Sequence, residues 1–284
     1  MGKFDGVLFT SDFDQTISDL TGAVPQANLQ ALDYFVSEGG RFCLNTGRSI
    51  PMARRRALQL PCNAPCLLYN GAACYDYAQQ RTVFAHPLPD FAKELPALLS
   101  DEVLCMEVQG LLHHYAAAPI QARAEAVQAE GIRWLPLEEM NEPWMKLVFC
   151  STEGNIFEHY NSLSPAERER WARLRDRIVE LCAGRCYVTA SLPRVIEISN
   201  PHCNKGVSAR ALAKILDCKH LVCAGDAMND AQMLTMADFA FCPTDAQPGI
   251  LSLPNIRPTT PSSQGAVAAA IEQLERLLSS KPTL

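Results

Sequence analysis

The sequence predicts an α/β protein, a doubly wound parallel sheet interrupted by an α+β insert, and three observations carry that reading. Short apolar runs, of the kind that form strands buried on both faces, alternate with helix-period segments near both ends of the chain. The pattern changes character between residues 86 and 198 and then returns to the first type. With 284 residues, 48% of them hydrophobic and 20% charged, the chain can bury two separate cores.

Gly6 to Ser11 reads as the first buried strand. A helix follows from Pro25, with Ala31, Leu32, Phe35 and Val36 on one face and Gly39-Gly40 ending it. Arg41 to Asn45 is the second strand, Ser49 to Leu58 a helix and Cys66 to Tyr69 a third strand; repeated βα units of this kind imply a parallel sheet. Ala72 to Pro87 alternates as a hairpin does. In the insert, Val103 to Val108 and Leu111 to Tyr115 read as a hairpin split by Gln109-Gly110. Helices are expected at Pro119 to Glu130 and Pro165 to Ala183, and strands at Lys146 to Cys150, Cys186 to Ala190 and Val195 to Ile198. The second of these helices sets Trp171, Leu174, Ile178 and Leu181 on one face and its arginines on a solvated one. Beyond Ser199 the first pattern resumes: helix Lys205 to Leu216, strand His220 to Ala224, helix Asp230 to Met236, strand Phe239 to Phe241 and helix Gly265 to Leu278. The expected division is a core of residues 1–85 and 199–284 around an insert of residues 86–198.

Composition narrows the function classes. Lysine and arginine total 25 against 31 acidic residues, a net charge of −6, so the broad basic footprint of a nucleic-acid or anionic-membrane binder is missing. The twelve cysteines are scattered through apolar runs without zinc-knuckle spacing and read as buried thiols. No apolar run approaches the ~18 residues of a membrane span, and the start Met-Gly-Lys-Phe-Asp has no leader-like stretch. A reduced, cytoplasmic, enzyme-sized protein is the expectation, with a local basic pocket for a small anionic substrate left open.

Ligands of open α/β sheets bind beyond the carboxyl ends of the strands. The first strand ends in Ser11-Asp12-Phe13-Asp14-Gln15-Thr16, the second in Thr46-Gly47-Arg48, and a later one in Gly225-Asp226-Ala227-Met228-Asn229-Asp230. Carboxylates gathered there repel one another by a few kcal/mol per close pair at an effective dielectric of ~20, a cost that a divalent cation removes. Hard oxygen donors in a crowded arrangement suit Mg2+. Each motif alone is a weak signal, since aspartates also serve turns and helix caps; their order along the chain, with Lys205 at a helix start, is what gives them weight.

That constellation resembles the haloacid dehalogenase superfamily of phosphohydrolases. Asn70-Gly71-Ala72 before a hairpin, and Val195-Ile196-Glu197-Ile198 before Asn204-Lys205-Gly206, are similar to its Cof-type, subtype IIB members. The resemblance covers the whole chain. It implies a Rossmann-like core with a substrate-selecting cap, and a Mg2+-dependent phosphatase of small metabolites, sugar phosphates foremost. Asp12 would attack phosphorus and form an aspartyl-phosphate; Asp14 would protonate the leaving alcohol and then activate water. Asp14 has to be neutral when it acts as an acid, which apolar cover and neighbouring carboxylates would favour. The implied metal ligands are Asp12, the Asp14 carbonyl and Asp226, with Asp230 supporting or water-bridged. Thr46 and Lys205 would neutralise phosphoryl charge, and Gly47, Arg48 and Asn229 would line the phosphate or substrate site, Arg48 being equally readable as structural and Asn229 as orienting Asp226.

Three rivals share parts of this pattern: a phospho-accepting receiver module, a sugar-phosphate binder with little turnover, and a phosphomutase. In the insert His113, His114, Trp134, Trp144 and Lys146 are candidate contacts, though residues of these types are more often core or surface than ligand. One residue departs from the family, Gln15 where glycine is usual. Strain beside two catalytic aspartates would blur the geometry of phosphoryl transfer, so Gln15 is expected at negative φ.

Overall fold

Residues 2–100, 104–116, 131–151, 163–192 and 194–280, which the computed structural model describes, divide between two compact units. Unit 1 takes in Met1–Arg48, Ala53–Phe84 and Asn204–Leu284; unit 2 takes in Ser49–Met52 and Ala85–Cys203.

The apolar run after Gly6 forms β1 (Val7–Ser11), buried along its whole length as a strand covered on both faces must be. Helix α1 (Gln26–Ser37) begins after Pro25 and buries Leu32 and Phe35. Then come β2 (Arg41–Leu44), α2 (Ile50–Gln59), β3 (Cys66–Leu68), β4 (Ala73–Asp76) and β5 (Arg81–Ala85). Unit 2 continues with α3 (Leu95–Leu98), β6 (Leu104–Gln109), β7 (His114–Ala116), β8 (Trp134–Pro136), β9 (Lys146–Ser151), α4 (Pro165–Cys182), β10 (Tyr187–Leu192) and β11 (Val195–Ser199). The chain returns to unit 1 through α5 (Lys205–Ile215), β12 (His220–Ala224), α6 (Ala231–Met236), β13 (Phe239–Cys242), α7 (Pro248–Leu251), β14 (Ile256–Pro258) and α8 (Ala266–Ser279).

The main sheet of unit 1 runs β14-β13-β12-β1-β2, parallel throughout. Its order reverses at β1, which pairs with β12 on one side and β2 on the other; that is the switch point where such sheets leave a crevice. Below it Phe4, Phe9, Phe35 and Phe42 interlock, with neighbouring ring centroids 4.7–6.0 Å apart.

Unit 2 is built on a sheet ordered β10-β11-β9-β6-β7-β8, antiparallel except between β7 and β8. Its register separates two faces. Met106, Val108, Leu147, Phe149, Ile196 and Ile198 form an apolar face packed with Leu174, Ile178 and Cys182 of α4. The alternate positions Glu107, Gln109, His114, Lys146, Glu197 and Ser199 form a buried polar face. There Lys146 Nζ donates to Glu197 Oε1 at 2.5 Å. His114 lies between Ser49 Oγ, 2.7 Å from its Nε2, and Glu107 Oε1, 2.6 Å from its Nδ1.

Two expectations need correction. Cys66–Leu68 is a strand, but it meets the parallel sheet only through the parallel bridge Asn45↔Leu67 past the end of β2; its ladder is antiparallel, with β4 in a three-stranded sheet. The reason is local, because the Thr46–Arg48 loop takes up its bonds; Thr46 N–H donates to Leu67 and Tyr69 N–H to the Arg48 carbonyl. Gln15 stands at φ 57°, on the left-handed side. The helix expected at residues 119–130 lies outside the described residues. No described helix is long and apolar enough to cross a membrane, and all twelve cysteines are free thiols.

Candidate active site

Parallel register fixes the site. Ser11 is level with both Ala224 and Leu44, so the residues that follow, Asp12, Gly225-Asp226 and Asn45-Thr46, leave three adjacent strand ends together. Asp12 N–H donates to the Ala224 carbonyl at 2.9 Å and Asn45 N–H to the Ser11 carbonyl at 2.8 Å, carrying the pairing one residue past the strands. The Asn45 amide then reaches the Lys205 carbonyl at 2.9 Å, tying the end of β2 to the start of α5.

Lys205 opens α5 with its side chain fully buried. Its Nζ donates to Asp12 Oδ1 at 2.8 Å and to Asp230 Oδ1 at 2.6 Å. A cation at a helix N-terminus opposes the helix dipole and needs anionic partners, and these are the two aspartates. Asp230 is saturated, since its Oδ2 accepts the N–H groups of Asp226 and Ala227 at 3.1 and 3.2 Å. This tight wrap requires Gly225, where a Cβ would meet Asp230 at 2.6 Å. Asp226 Oδ1 accepts the Thr16 hydroxyl at 3.0 Å.

Oxygens of Asp12, Asp226 and Asp230 lie within 4.8 Å of one another, all from buried residues. Three carboxylates face one ammonium, leaving the cluster two negative charges in excess when ionised. Burial therefore pushes Asp12 up to about 7 against the pull of Lys205, with Asp230 and Asp14 adding to the rise. Burial, followed by the charges of Asp12 and Asp230, pushes Asp226 up to about 8. Burial works against the Lys205 ammonium, but Asp12 and Asp230 outweigh it and hold its pKa above the ordinary lysine range. The residues fit a hard divalent cation: the cluster needs positive charge, and oxygens of Asp12 and Asp226 remain without a protein donor among the described residues. Asp230, with both oxygens engaged, orients the others.

Asp14 points elsewhere. Both of its oxygens are forked by Arg48, at 2.9 Å from Nε and 2.8 Å from Nη2, and its side chain is 46% exposed. Apolar cover of the kind that would favour a neutral carboxyl is therefore not what surrounds Asp14. Thr46 is buried at the strand end, with its hydroxyl accepting from Arg48 N–H at 3.3 Å. Gly47 runs close beneath Asn70, and Asn229 is half-buried in the single turn Met228–Asp230.

Among the insert candidates, His114 and Lys146 are buried within the polar sheet face, and Trp134 packs against its apolar members Cys105, Val148, Cys150 and Val195. His113 is exposed against Glu142, and Trp144 packs on the apolar side. Sequence reasoning assigned no role to Thr16 and did not anticipate the Arg48–Asp14 fork. Asn70, whose side chain is buried without a protein hydrogen bond, was noticed only as part of a motif.

Residues 9–271 match the family model of the haloacid dehalogenase-like hydrolases. A 106-residue stretch is 30% identical to the HMP-PP phosphatase of Cronobacter sakazakii, covering 36% of this chain and 39% of that protein. Three solved structures are similar over nearly the whole chain. A haloacid dehalogenase-like hydrolase from Bacteroides thetaiotaomicron superposes with TM-score 0.78 at 17% identity, over 95% of this chain and 99% of that one. One from B. subtilis gives 0.75 at 18%, over 94% and 99%. A subclass IIB sugar phosphatase of the same superfamily gives 0.72 at 15%, over 94% and 98%.

Proposed function

The chain belongs to the haloacid dehalogenase-like hydrolases, and from that membership we propose that it is a Mg2+-dependent phosphatase of small soluble phosphate monoesters, sugar phosphates foremost. The observation that carries the reading is the buried Asp12 at the switch point, bonded to Lys205 and grouped with Asp226 and Asp230.

Asp12 serves as the nucleophile: its carboxylate attacks phosphorus, and the alkoxide departs from the opposite side as the aspartyl-phosphate forms. Asp14, half-exposed, gives the leaving oxygen its proton and then takes one from the water that cleaves the acyl phosphate. Arg48 holds Asp14 in place between these transfers. Lys205 and Thr46 balance charge on the phosphoryl oxygens, and Gly47 and Asn229 line the phosphate or substrate site. Asp12, the Asp14 carbonyl and Asp226 would hold Mg2+, with Asp230 behind them. Such a cation supplies charge neutralisation, letting a phosphate dianion approach a cluster that is otherwise negative.

Residues 86–198 act as the cap and select the organic group through the polar face of their sheet. A relative named for HMP-PP and a structural neighbour named as a sugar phosphatase support a small phosphorylated metabolite. The free thiols suit a reducing cytoplasm.

The test is phosphate release from a panel of sugar, nucleotide and cofactor phosphates. Turnover should vanish on chelation and return with Mg2+, and Asp12→Asn should abolish it without loss of fold. More than a tenth of parental turnover in that variant would refute the nucleophile.

A further inference from the structure

We propose that Asn70 positions the phosphoryl group, its side-chain amide donating to a phosphate oxygen above the Thr46–Arg48 loop; this rests on the phosphatase reading.

Three successive residues after β3, Tyr69, Asn70 and Gly71, have φ of 54°, 56° and 93°. Glycine enters that region freely and asparagine with some ease, but tyrosine does not, so the surroundings must impose it. They do so through the loop: Tyr69 N–H donates to the Arg48 carbonyl at 3.0 Å and Asn70 N–H to the Thr46 carbonyl at 3.1 Å. On the other side the Ser208 hydroxyl, one turn into α5, donates to the Gly71 carbonyl. The strained turn thus joins the end of β2 to the helix that carries Lys205.

What the strain delivers is the Asn70 side chain. It is 4% exposed, yet neither its Nδ2 nor its Oδ1 has a protein hydrogen-bond partner. Burying an unpaired carboxamide is unfavourable, and strain added to it makes the arrangement doubly so unless a ligand uses it. Gly47 lets it lie against the loop, because a Cβ there would stand 2.8 Å from Asn70 Oδ1.

The ligand's chemistry follows from its neighbours. Two amides at the start of α5, those of Gly206 and Val207, are already taken by the Asn204 side chain at 2.9 Å each. An anion there must find donors elsewhere, and Asn70 supplies two N–H groups without adding a charge. Asp12, Asp226 and Asp230 already place negative charge at this sheet edge, so a neutral donor suits a phosphate bound beside them.

Asn70→Gly separates backbone from side chain, since glycine takes φ 56° at no cost. Inorganic phosphate binding to the Mg2+-loaded protein, read by calorimetry, should weaken at least tenfold, and kcat/KM on p-nitrophenyl phosphate should fall at least as far. Its melting temperature should match or exceed the parent's. Asn70→Asp, which sets a carboxylate against the phosphate, should lose more than a hundredfold in both. Phosphate affinity within twofold of the parent in Asn70→Gly would overturn the assignment, as would a loss of binding that merely follows a loss of thermal stability. A parent protein that hydrolyses esters and binds phosphate, beside an unaffected Asn70→Gly, removes this assignment alone. A parent that does neither removes the phosphatase reading as well.

Discussion

The two large sheets keep their charged groups in different places. Strands β1, β12 and β13 of unit 1 carry no charged side chain that is buried along their length, and Asp12 and Asp226 stand just past the strand ends. In unit 2 the charges sit mid-strand, at Glu107 and Glu197, and at the first residue of β9, Lys146. The contrast follows from strand direction. A parallel sheet is covered on both faces, so only its ends are open to chemistry, whereas an antiparallel sheet can give one face to its core and keep the other polar. The buried charged groups of unit 1 therefore lie in short contiguous motifs. Those of unit 2 are spread over alternate residues of several strands.

The sharpest way to break this comparison is to remove the central cation of unit 1. Lys205→Met would leave Asp12 and Asp230 buried without their partner, a cost of about 3–5 kcal/mol. Scanning calorimetry should show a fall of about 10 °C in melting temperature, partly recovered with Mg2+. A fall of less than about 2 °C would mean the cluster does not depend on this lysine.

Unit 2 should answer differently. Lys146→Met strands Glu197 and should cost roughly 3 kcal/mol, but Lys146→Met with Glu197→Leu should return to within about 1 kcal/mol of the parent, because an apolar pair can replace a buried ion pair. Urea unfolding of the parent, the single variant and the double variant reads the coupling. The ranking of substrates should change in the double variant if the polar face selects them. An unchanged ranking would take selection away from this face.

A smaller effect concerns Gln15. At φ 57° it holds roughly 1 kcal/mol of strain on an exposed turn beside Asp14. Gln15→Gly should raise stability by up to that amount, less the entropy gained by the unfolded chain. Turnover should stay within about tenfold, ~1.4 kcal/mol in barrier. A larger loss would give the glutamine side chain an active part.

The smallest effect is a pH dependence in unit 2. Glu167 closes the capping box with Ser164 at the start of α4 and pairs with Arg194. Hydrogen bonds from Arg194, then from Ser164, lower its carboxyl to about 2 from an ordinary 4.5. A depressed carboxyl stabilises the fold fully above about pH 4.5, and this contribution fades as pH falls towards about 2. Glu167→Gln should flatten that part of the acid-unfolding curve. An identical curve would show that the bond carries no stability.

The same contrast explains what the sequence made legible. The strand-end carboxylates, Thr46 and Lys205 were readable because a parallel sheet gathers short motifs at one edge and their spacing survives in the chain. The fork between Arg48 and Asp14 was not, because it joins two loops 34 residues apart through side-chain directions that no period encodes. Gln15 misled because φ is set by the loop as a whole: a turn built for glycine can be kept when the residue changes. Cys66–Leu68 misled because its apolar run suits either sheet. The short elements β8, α3, α7 and β14, of three or four residues each, are too brief to show a period.

The turn at Asn70 also bears on how the protein ages. Asn-Gly is the dipeptide most prone to lose ammonia, when the glycine nitrogen attacks the asparagine carboxamide and the resulting ring opens to aspartate or isoaspartate. In the folded chain Asn70 is held at φ 56°, ψ 35° between the Thr46 loop and α5, which restricts the rotation that ring closure needs. Unfolding frees it. A molecule that unfolds for long in mild alkali and then refolds would return with a carboxylate, or a backbone one atom longer, at this turn. Storage history would then be written at a single residue, as a mass gain of about one dalton on the peptide that spans Asn70-Gly71.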